Sequence, residues 1–210
     1  MAAYRDRSAA GSALAERLMQ YAGRPDVVVL GLVRGGLPVA ASVARRLGVP
    51  LDALVIRKLG VPWAPEVAFG AIGPGGVRVL NDEVVSRLAP GSVIAVLHHE
   101  AGELARREAR YRAGRPPLDL TGKTVLIVDD GLATGASARA AVAVARAMAA
   151  AAVVVAVPVG SADAVAQLAQ DADKVVCPLQ PADFGAVSRF YDDFSQVGDD
   201  EAVALLGANR

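Results

Sequence analysis

The feature that most constrains the fold is an uninterrupted apolar run, VLIV at residues 125–128, which ends directly in two carboxylates, Asp129 and Asp130. A run without polar alternation is typical of a strand buried on both faces of a parallel sheet. Ligands of open α/β sheets bind beyond the carboxyl ends of the strands, which is where these acids lie. The pattern therefore predicts a central strand with a ligand site at its end.

A loop of small residues, 131–135, follows the two acids and leads into an alanine-rich segment with helical propensity. Thr134 and Ser137 flank the start of that helix, where unpaired N–H groups and the helix dipole favour an anion. Carboxylates next to an anion-binding site would repel an anion, so we expect a ligand that carries hydroxyl groups as well as a phosphate. A ribose 5-phosphate meets this description, because carboxylates accept hydrogen bonds from its 2- and 3-hydroxyls while the loop holds the phosphate.

Residues 125–137 resemble the binding signature of the type I phosphoribosyltransferases, which is an apolar strand, two acids and a loop ending Thr-Gly-x-Ser/Thr. The sequence departs from that signature at Gly131 and Ala133. The resemblance implies that Asp129 and Asp130 are the catalytic residues. It also implies that the 5-phosphate binds to the loop residues Gly131, Ala133, Thr134, Gly135, Ala136 and Ser137. From the residues alone, the alternative is a buried strand that ends in a solvated acidic turn.

Basic residues follow each of the first two predicted strands, which span residues 27–30 and 51–56. They are Arg34 after the first strand, and Arg57 and Lys58 after the second. The family places its pyrophosphate-binding loop after the first core strand and a second basic contact at the end of the next. The resemblance thus implies that pyrophosphate binds to Arg34, Gly35, Gly36, Arg57 and Lys58. A tight turn with an exposed arginine, and a solvated Arg-Lys pair, are the alternatives from the residues alone.

Strands that alternate with helical segments predict an α/β fold with three layers, a mostly parallel sheet with helices on both faces. We expect one domain over residues 1–210, with a small helical insert at 82–117 and a C-terminal hood at 180–210. The insert resembles a less characterised bacterial branch of the family. Residues 58–80 are rich in glycine and proline, and the resemblance implies a mobile loop there that closes over the reacting centre.

The hood carries aromatic side chains, among them Phe190 and Tyr191. Family members often stack the acceptor on an aromatic ring in this segment, and stacked rings grip a flat base. The same rings would equally serve to pack the tail onto the core. Both interpretations stay open at the level of the sequence.

The charge balance and the cysteine content exclude several classes of protein. Basic and acidic residues are equal in number, 22 of each, so the chain lacks the electrostatic footprint of a nucleic-acid-binding protein. The single Cys177 excludes an intramolecular disulfide and a cysteine-rich metal site, and fits a reducing compartment. No apolar run reaches membrane-spanning length and no signal-peptide pattern opens the chain, so we expect a cytoplasmic protein without membrane contacts.

The resemblance implies a transfer of the 5-phosphoribosyl group from 5-phosphoribosyl 1-pyrophosphate to a nitrogenous base acceptor, with release of pyrophosphate. Mg²⁺ is the implied cofactor, held mainly through ligand oxygens and water rather than by direct protein ligands. The implied partners are small molecules, and a homo-oligomer is compatible with this interpretation. The alternative is a non-catalytic regulatory module that binds phosphoribosyl pyrophosphate or a nucleotide.

Overall fold

The computed structural model describes residues 3–208, apart from the side chains of Pro65 and Glu66. The strands are β1 (Val27–Leu32), β2 (Leu51–Leu54), β3 (Arg57–Val61), β4 (Ala64–Ile72), β5 (Arg78–Leu80), β6 (Thr124–Val128), β7 (Ala152–Ala156) and β8 (Lys174–Val176). The helices are α1 (Arg7–Glu16), α2 (Gly36–Leu47), α3 (Asp82–Val85), α4 (Pro90–Tyr111), α5 (Ala136–Ala147), α6 (Ala162–Leu168) and α7 (Asp199–Gly207).

A parallel sheet forms the middle layer, with its strands in the order β2, β1, β6, β7, β8. Strand β6 is the middle strand and pairs with β1 on one side and β7 on the other, with Val125 opposite Val28 and Val153. Every residue of β6 is buried. This confirms the predicted central strand and places its carboxyl end in the middle of the sheet edge.

The two faces of the sheet are covered by different helices, which makes three layers. Leu126 and Val128 of β6 pack with side chains of α1, α2 and α7, whereas Val125 and Ile127 pack with side chains of α5 and α6. Alternate side chains of a strand point to opposite faces, so a fully apolar strand can serve two cores. The predicted α/β fold with helices on both faces is thereby confirmed.

Residues 57–80 form a second, antiparallel sheet in the order β3, β4, β5. The sequence was expected to continue its second strand to residue 56, but β2 ends at Leu54, where its pairing with β1 also ends. Arg57 and Lys58 then open β3 and pair with Ile72 and Ala71 of β4. The two basic residues thus begin a new strand instead of ending a parallel one.

The C-terminal segment returns over the carboxyl edge of the parallel sheet. Tyr191 forms a β-bridge with Tyr4, and the backbone N–H of Tyr4 donates to the carbonyl of Phe190 at 3.0 Å. The segment ends in α7, which packs on α2 and α4. In the part of the chain that the structure describes, no helix is both long enough and apolar enough to cross a membrane.

Candidate active site

The loop between β1 and α2 lies directly against the end of β6. A Cβ atom on Gly36 would lie 2.6 Å from the carbonyl oxygen of Val128, and one on Gly35 would collide with the Asp130 carboxylate. Only a residue without a side chain allows this approach. The two glycines therefore bring the backbone of the predicted pyrophosphate loop next to the acidic pair.

The two adjacent acids have different surroundings. Asp129 is half-buried, and its Oδ1 accepts the backbone N–H of Asp130 at 2.9 Å. Asp130 accepts a hydrogen bond from Nε of Arg7 at 2.8 Å in a pair whose side chains are 10% and 15% exposed. The guanidinium of Arg7 also lies 3.8 Å from the ring centre of Phe194. One acid is thus neutralised by the protein, and the other has no ion pair within the described chain.

Burial controls the protonation of both acids. It raises the pKa of Asp129, and the charge of Asp130 raises it further. Burial also raises the pKa of Asp130, while the hydrogen bond and charge of Arg7 oppose that change. The Tyr191 hydroxyl donates to the backbone carbonyl of Asp130 at 2.6 Å, and burial raises the pKa of this phenol. A cationic or hydroxyl-bearing ligand at Asp129 would favour its ionised form.

The loop after the acids leads to an uncapped helix start. Gly135 has a φ of +74° and precedes α5, and as the N-cap residue it provides no side-chain hydrogen bond. The Ala136 N–H donates to Oγ1 of Thr134 at 3.4 Å, and the Thr134 and Ser137 side chains are exposed. This arrangement leaves the other N–H groups of the first turn and two hydroxyl protons available to an anion.

Gly131, one of the two departures from the family signature, has a structural explanation. A Cβ atom at this position would meet Cγ2 of Val187 at 2.7 Å. The hood thus occupies the space that a branched aliphatic side chain would need. Ala133 is exposed, and its carbonyl accepts the hydroxyl of Ser161 at 2.8 Å.

Several of the predicted residues share one cavity of about 230 Å³, which we call the donor cavity. Its polar and charged lining consists of Asp129, Ser137, Arg57, Lys58 and Arg107. Lys58 is exposed, whereas Arg57 is tied to Glu100 of α4 by a 2.6 Å ion pair. Arg34 and Gly35 line the adjoining cavity instead. Thr134, Gly131 and Ala133 line neither cavity.

Arg107 of α4 was not predicted as a site residue. It is half-buried and makes no ion pair or side-chain hydrogen bond within the described residues. The sequence offered one signal, an arginine cluster at 106, 107 and 110 near the end of a long helix. That signal does not tell which way the cluster faces, because this depends on how α4 packs on β3 and α7.

Comparison with known proteins identifies the family. The profile of the phosphoribosyl transferase domain matches residues 5–195. The chain belongs to the phosphoribosyl transferase family. A curated protein of Mycobacterium tuberculosis H37Rv, provisionally named as a phosphoribosyl transferase, is 55% identical over 208 residues, or 98% of this chain and 47% of the relative. The chain therefore spans about half the length of the curated relatives it matches.

Two solved structures share the fold of this chain. The crystal structure of the TT1426 protein from Thermus thermophilus is 43% identical, covers 98% of both chains and superposes with a TM-score of 0.90. The AQ2163 protein of Aquifex aeolicus covers 89% of this chain and 85% of its own, with a TM-score of 0.51 at 13% identity. The second likeness shows the fold alone.

The hood aromatics of this phosphoribosyl transferase domain contact one another. The Tyr191 ring is 6% exposed and lies 5.7 Å from the ring of Tyr4 and 5.0 Å from that of Phe194. Phe190 stacks on Phe184 at 5.6 Å. Neither Phe190 nor Tyr191 lines the donor cavity or the adjoining one, so these contacts support the packing role that the sequence left open.

The residues present fit the Mg²⁺ ion that the family implies. Among the described residues, no group of three or more His, Cys, Asp or Glu side chains could enclose a metal. Asp129 borders the donor cavity, and in the described part of the chain only its Oδ1 is engaged by a protein hydrogen bond. Mg²⁺ commonly binds through one or two carboxylates together with substrate phosphates and water. Asp129 is the side chain suited to that task here.

Proposed function

We propose that this domain transfers the 5-phosphoribosyl group of phosphoribosyl pyrophosphate to a nucleophilic acceptor, with Mg²⁺ as cofactor. The observation that carries the proposal is the composition of the donor cavity. A carboxylate and a phosphate-loop hydroxyl, Asp129 and Ser137, face the same space as three cationic side chains, Arg57, Lys58 and Arg107. A ligand with ribose hydroxyls, a phosphate and a pyrophosphate satisfies all of these groups at once.

In this reaction the acceptor nitrogen forms a bond to C1 of the ribose. The bond between C1 and the pyrophosphate oxygen breaks, and pyrophosphate leaves with the electron pair while the acceptor loses a proton. The transition state is cationic at the ribose ring, so catalysis rests on positioning and on charge stabilisation. Mg²⁺, which Asp129 would help to hold, would supply positive charge that favours the departure of pyrophosphate.

Each part of the site then has a role. Asp129 and Asp130 orient the ribose hydroxyls and place negative charge beside the cationic ring. The start of α5, with residues Thr134 and Ser137, holds the 5-phosphate. The Gly35–Gly36 backbone, Arg34, Arg57 and Lys58 bind the leaving pyrophosphate. A cytoplasmic location is part of the proposal, supported by a free and buried Cys177.

The test has two stages. Saturating Mg²⁺ and phosphoribosyl pyrophosphate should raise the melting midpoint, because at a hundredfold excess over the dissociation constant binding stabilises by about 2.7 kcal/mol. Each kcal/mol moves the midpoint of a domain of this size by about 2–4 °C, so the shift should reach several degrees. Pyrophosphate release is then assayed with a panel of nitrogenous acceptors.

The outcomes separate the two interpretations of the site. A midpoint shift together with pyrophosphate release on one acceptor supports the transferase. A shift without turnover on any acceptor indicates the regulatory binding module instead. A wild-type protein whose midpoint does not respond to the donor contradicts the transferase and a module that binds phosphoribosyl pyrophosphate, and leaves only a module that binds a nucleotide.

A further inference from the structure

A second cavity, of about 510 Å³, adjoins the donor cavity. It lies between the loop after β1, helix α4 and the C-terminal segment. We call it the arginine cavity, because its charged lining consists of Arg7, Arg34, Arg106, Arg107, Arg110 and Asp199. Such a concentration of guanidinium groups in one concave surface is a feature of sites for carboxylates and phosphates.

The acids around the arginine cavity pair with four of its five arginines. Asp199 is shared, at 3.1 Å from Arg34 and 3.2 Å from Arg110, and it also accepts the Tyr111 hydroxyl. Arg110 pairs in addition with Asp200 at 3.3 Å. The carboxylates that pair with Arg7 and Arg106 belong to Asp130 and Glu103, which do not line the cavity.

Arg107 has no such ion-pair partner within the described residues and borders both cavities. Together with the hydrogen bond from Arg106, its charge helps to lower the pKa of Glu103, but no carboxylate of the described residues lies within ion-pair distance of Arg107. The free protein therefore holds a cationic surface that an anion would complete.

The position of the arginine cavity suits an acceptor. The two cavities share Val33 and Arg107, so molecules that fill them lie side by side. An acceptor has to lie beside the donor to attack C1. Arg57, Lys58 and the phosphate loop serve the donor, and Arg34 and Gly35 of the arginine cavity are assigned to its pyrophosphate. Arg106 and Arg110, by contrast, line the arginine cavity and not the donor cavity.

We propose that the acceptor is an anion, carrying a phosphate or a carboxylate group that binds in the arginine cavity. This inference rests on the proposed transferase function and names the substrate class that the function leaves open. The anionic group is held by Arg106, Arg107 and Arg110, and the acceptor's nucleophile extends toward the donor. Neutral bases lack the group that this lining recognises and are expected to be poor acceptors.

The experiment is a pair of calorimetric titrations at constant ionic strength, because exposed charges are screened by salt. The donor with Mg²⁺ is titrated first into the free protein. Inorganic phosphate, and separately succinate, is then titrated into the donor-saturated protein, in which the phosphate and pyrophosphate positions are already filled. The tighter of the two probes distinguishes a phosphate-bearing from a carboxylate-bearing acceptor.

The diagnostic variant is Arg106→Gln combined with Arg110→Gln, since neither arginine lines the donor cavity. Its control is Arg46→Gln combined with Arg87→Gln, which removes two exposed arginines that are also ion-paired, to Glu16 and Glu83. Arg106→Gln alone is the fallback if the double variant does not fold, since its partner Glu103 lies on the same helix.

We expect wild type and control to bind a probe equally, and the diagnostic variant to bind it at least about tenfold more weakly, as for lost hydrogen bonds to a charged group. Donor binding should stay unchanged.

No probe binding to donor-saturated wild type, or undiminished probe binding by the diagnostic variant, overturns the inference and leaves the proposed transferase function intact. Weakened donor binding in the diagnostic variant would assign the arginine cavity to pyrophosphate, and it would also overturn the inference about the acceptor. A donor that fails to bind wild type overturns the transferase function itself.

Discussion

At the scale of single residues, the site contains two adjacent carboxylates, and a ligand would offset the repulsion between them. Asp129 is half-buried beside another carboxylate, and among residues 3–208 only one of the two acids has an arginine partner, Arg7. Buried like charges destabilise the ionised form of a protein, and a cationic transition state or a metal ion reverses the sign of that interaction. In the proposed site, the acidic pair would thus favour ligand binding at the expense of the stability of the free protein.

The first prediction concerns pH. Burial and Asp130 raise the pKa of Asp129 to about 8, above the ordinary aspartate value, so the folded state holds its proton longer than the unfolded state does. As pH rises from about 4 toward 8, the unfolded state gains more from ionisation and the free energy of unfolding falls. Asp129→Asn lacks this titration. The melting midpoint of the variant should therefore exceed that of wild type by a margin that grows between about pH 5 and pH 8.

The control for this measurement is Asp26→Asn. The Arg24 guanidinium and the Thr124 hydroxyl lower the pKa of Asp26 to about 2, so its charge favours folding above that pH. This variant should lose stability relative to wild type, and the loss should shrink as pH falls toward about 2. A margin for Asp129→Asn that is constant across pH would contradict the first prediction.

The second prediction concerns both acids together. Asp129→Asn with Asp130→Asn keeps the shapes and removes two negative charges that face the proposed ribose. We expect the midpoint shift caused by Mg²⁺ and donor to shrink to less than half. Any transferase rate should fall further still, because the charges act on the transition state. The measurement is thermal unfolding with and without donor, followed by pyrophosphate release.

An adjacent pair of exposed acids in the hood, Asp192 and Asp193, provides a matched control. Changing both to asparagine removes the same charge, and the new amide oxygen at position 193 could still accept the Ser195 N–H that Asp193 accepts at 2.9 Å. The donor-induced shift of this control should equal that of wild type. A site variant with an undiminished shift would falsify the ribose assignment.

At the scale of elements, the site depends on a close approach between the backbone of the loop after β1 and the backbone at the end of β6. The loop after β1 reaches the end of β6 only because Gly35 and Gly36 carry no side chain. Helix α4 adds cationic side chains from the helical insert, and Glu100 on the same helix holds Arg57 at the start of β3. The cavity exists because the fold brings the loop after β1, the end of β6 and helix α4 together.

The third prediction tests this approach with Gly36→Ala. The new Cβ would lie 2.6 Å from the Val128 carbonyl oxygen and 2.9 Å from Cα of Asp129, both backbone atoms of the central strand and its end. Overpacking of this kind costs about 1–3 kcal/mol of unfolding free energy. We expect that loss in denaturant unfolding, together with weaker donor binding measured by calorimetry.

Gly102→Ala is the matched change in α4, where a Cβ atom would meet nothing within 4 Å. Alanine is the better helix former, so this variant should gain about 0.5–1 kcal/mol. It should bind the donor like wild type. Equal stabilities for the two alanine variants would show that the loop has room to move away from β6.

At the scale of the whole molecule, two different sheets contribute residues to the donor cavity. One is the parallel sheet, and the other is the less regular antiparallel sheet of β3, β4 and β5. Asp129 follows a strand that is paired on both sides, whereas Lys58 lies in the β3–β4–β5 sheet. The register between β3 and β4 shifts at Leu59, Gly60 and Val61, and β5 has no buried residue. Leu59, Phe69 and Ile72 of this sheet are buried, but a disrupted ladder that ends in a strand without buried residues opens locally at lower cost than a fully paired one.

The fourth prediction follows from this contrast. In hydrogen exchange, backbone amides of residues 57–80 should exchange faster than those of β1, β6 and β7 in the free protein. Saturating donor with Mg²⁺ should slow them selectively, since Lys58 and Arg57 would then contact the ligand. Amides of β6 serve as the internal control because their protection is already high. Unchanged exchange in residues 57–80 would count against a segment that closes over the site.

The sequence by itself determined the central strand, the acids at its end, the loop before α5 and the alternation of layers. These features are local, because a two-sided apolar run and a small-residue loop before a helix report on neighbours within a few positions. The Gly35–Gly36 loop was placed by the resemblance, and its close approach to Val128 agrees with that placement.

Tertiary structure alone decided which distant groups meet the acids. The pairing of Arg7 with Asp130 spans 123 residues, and the direction in which Arg107 faces depends on the packing of α4. The departure at Gly131 became intelligible only when Val187 was seen to fill the space. An ion pair between remote residues leaves no periodicity or spacing in a single sequence, because its distance is set by the fold and not by the chain between them.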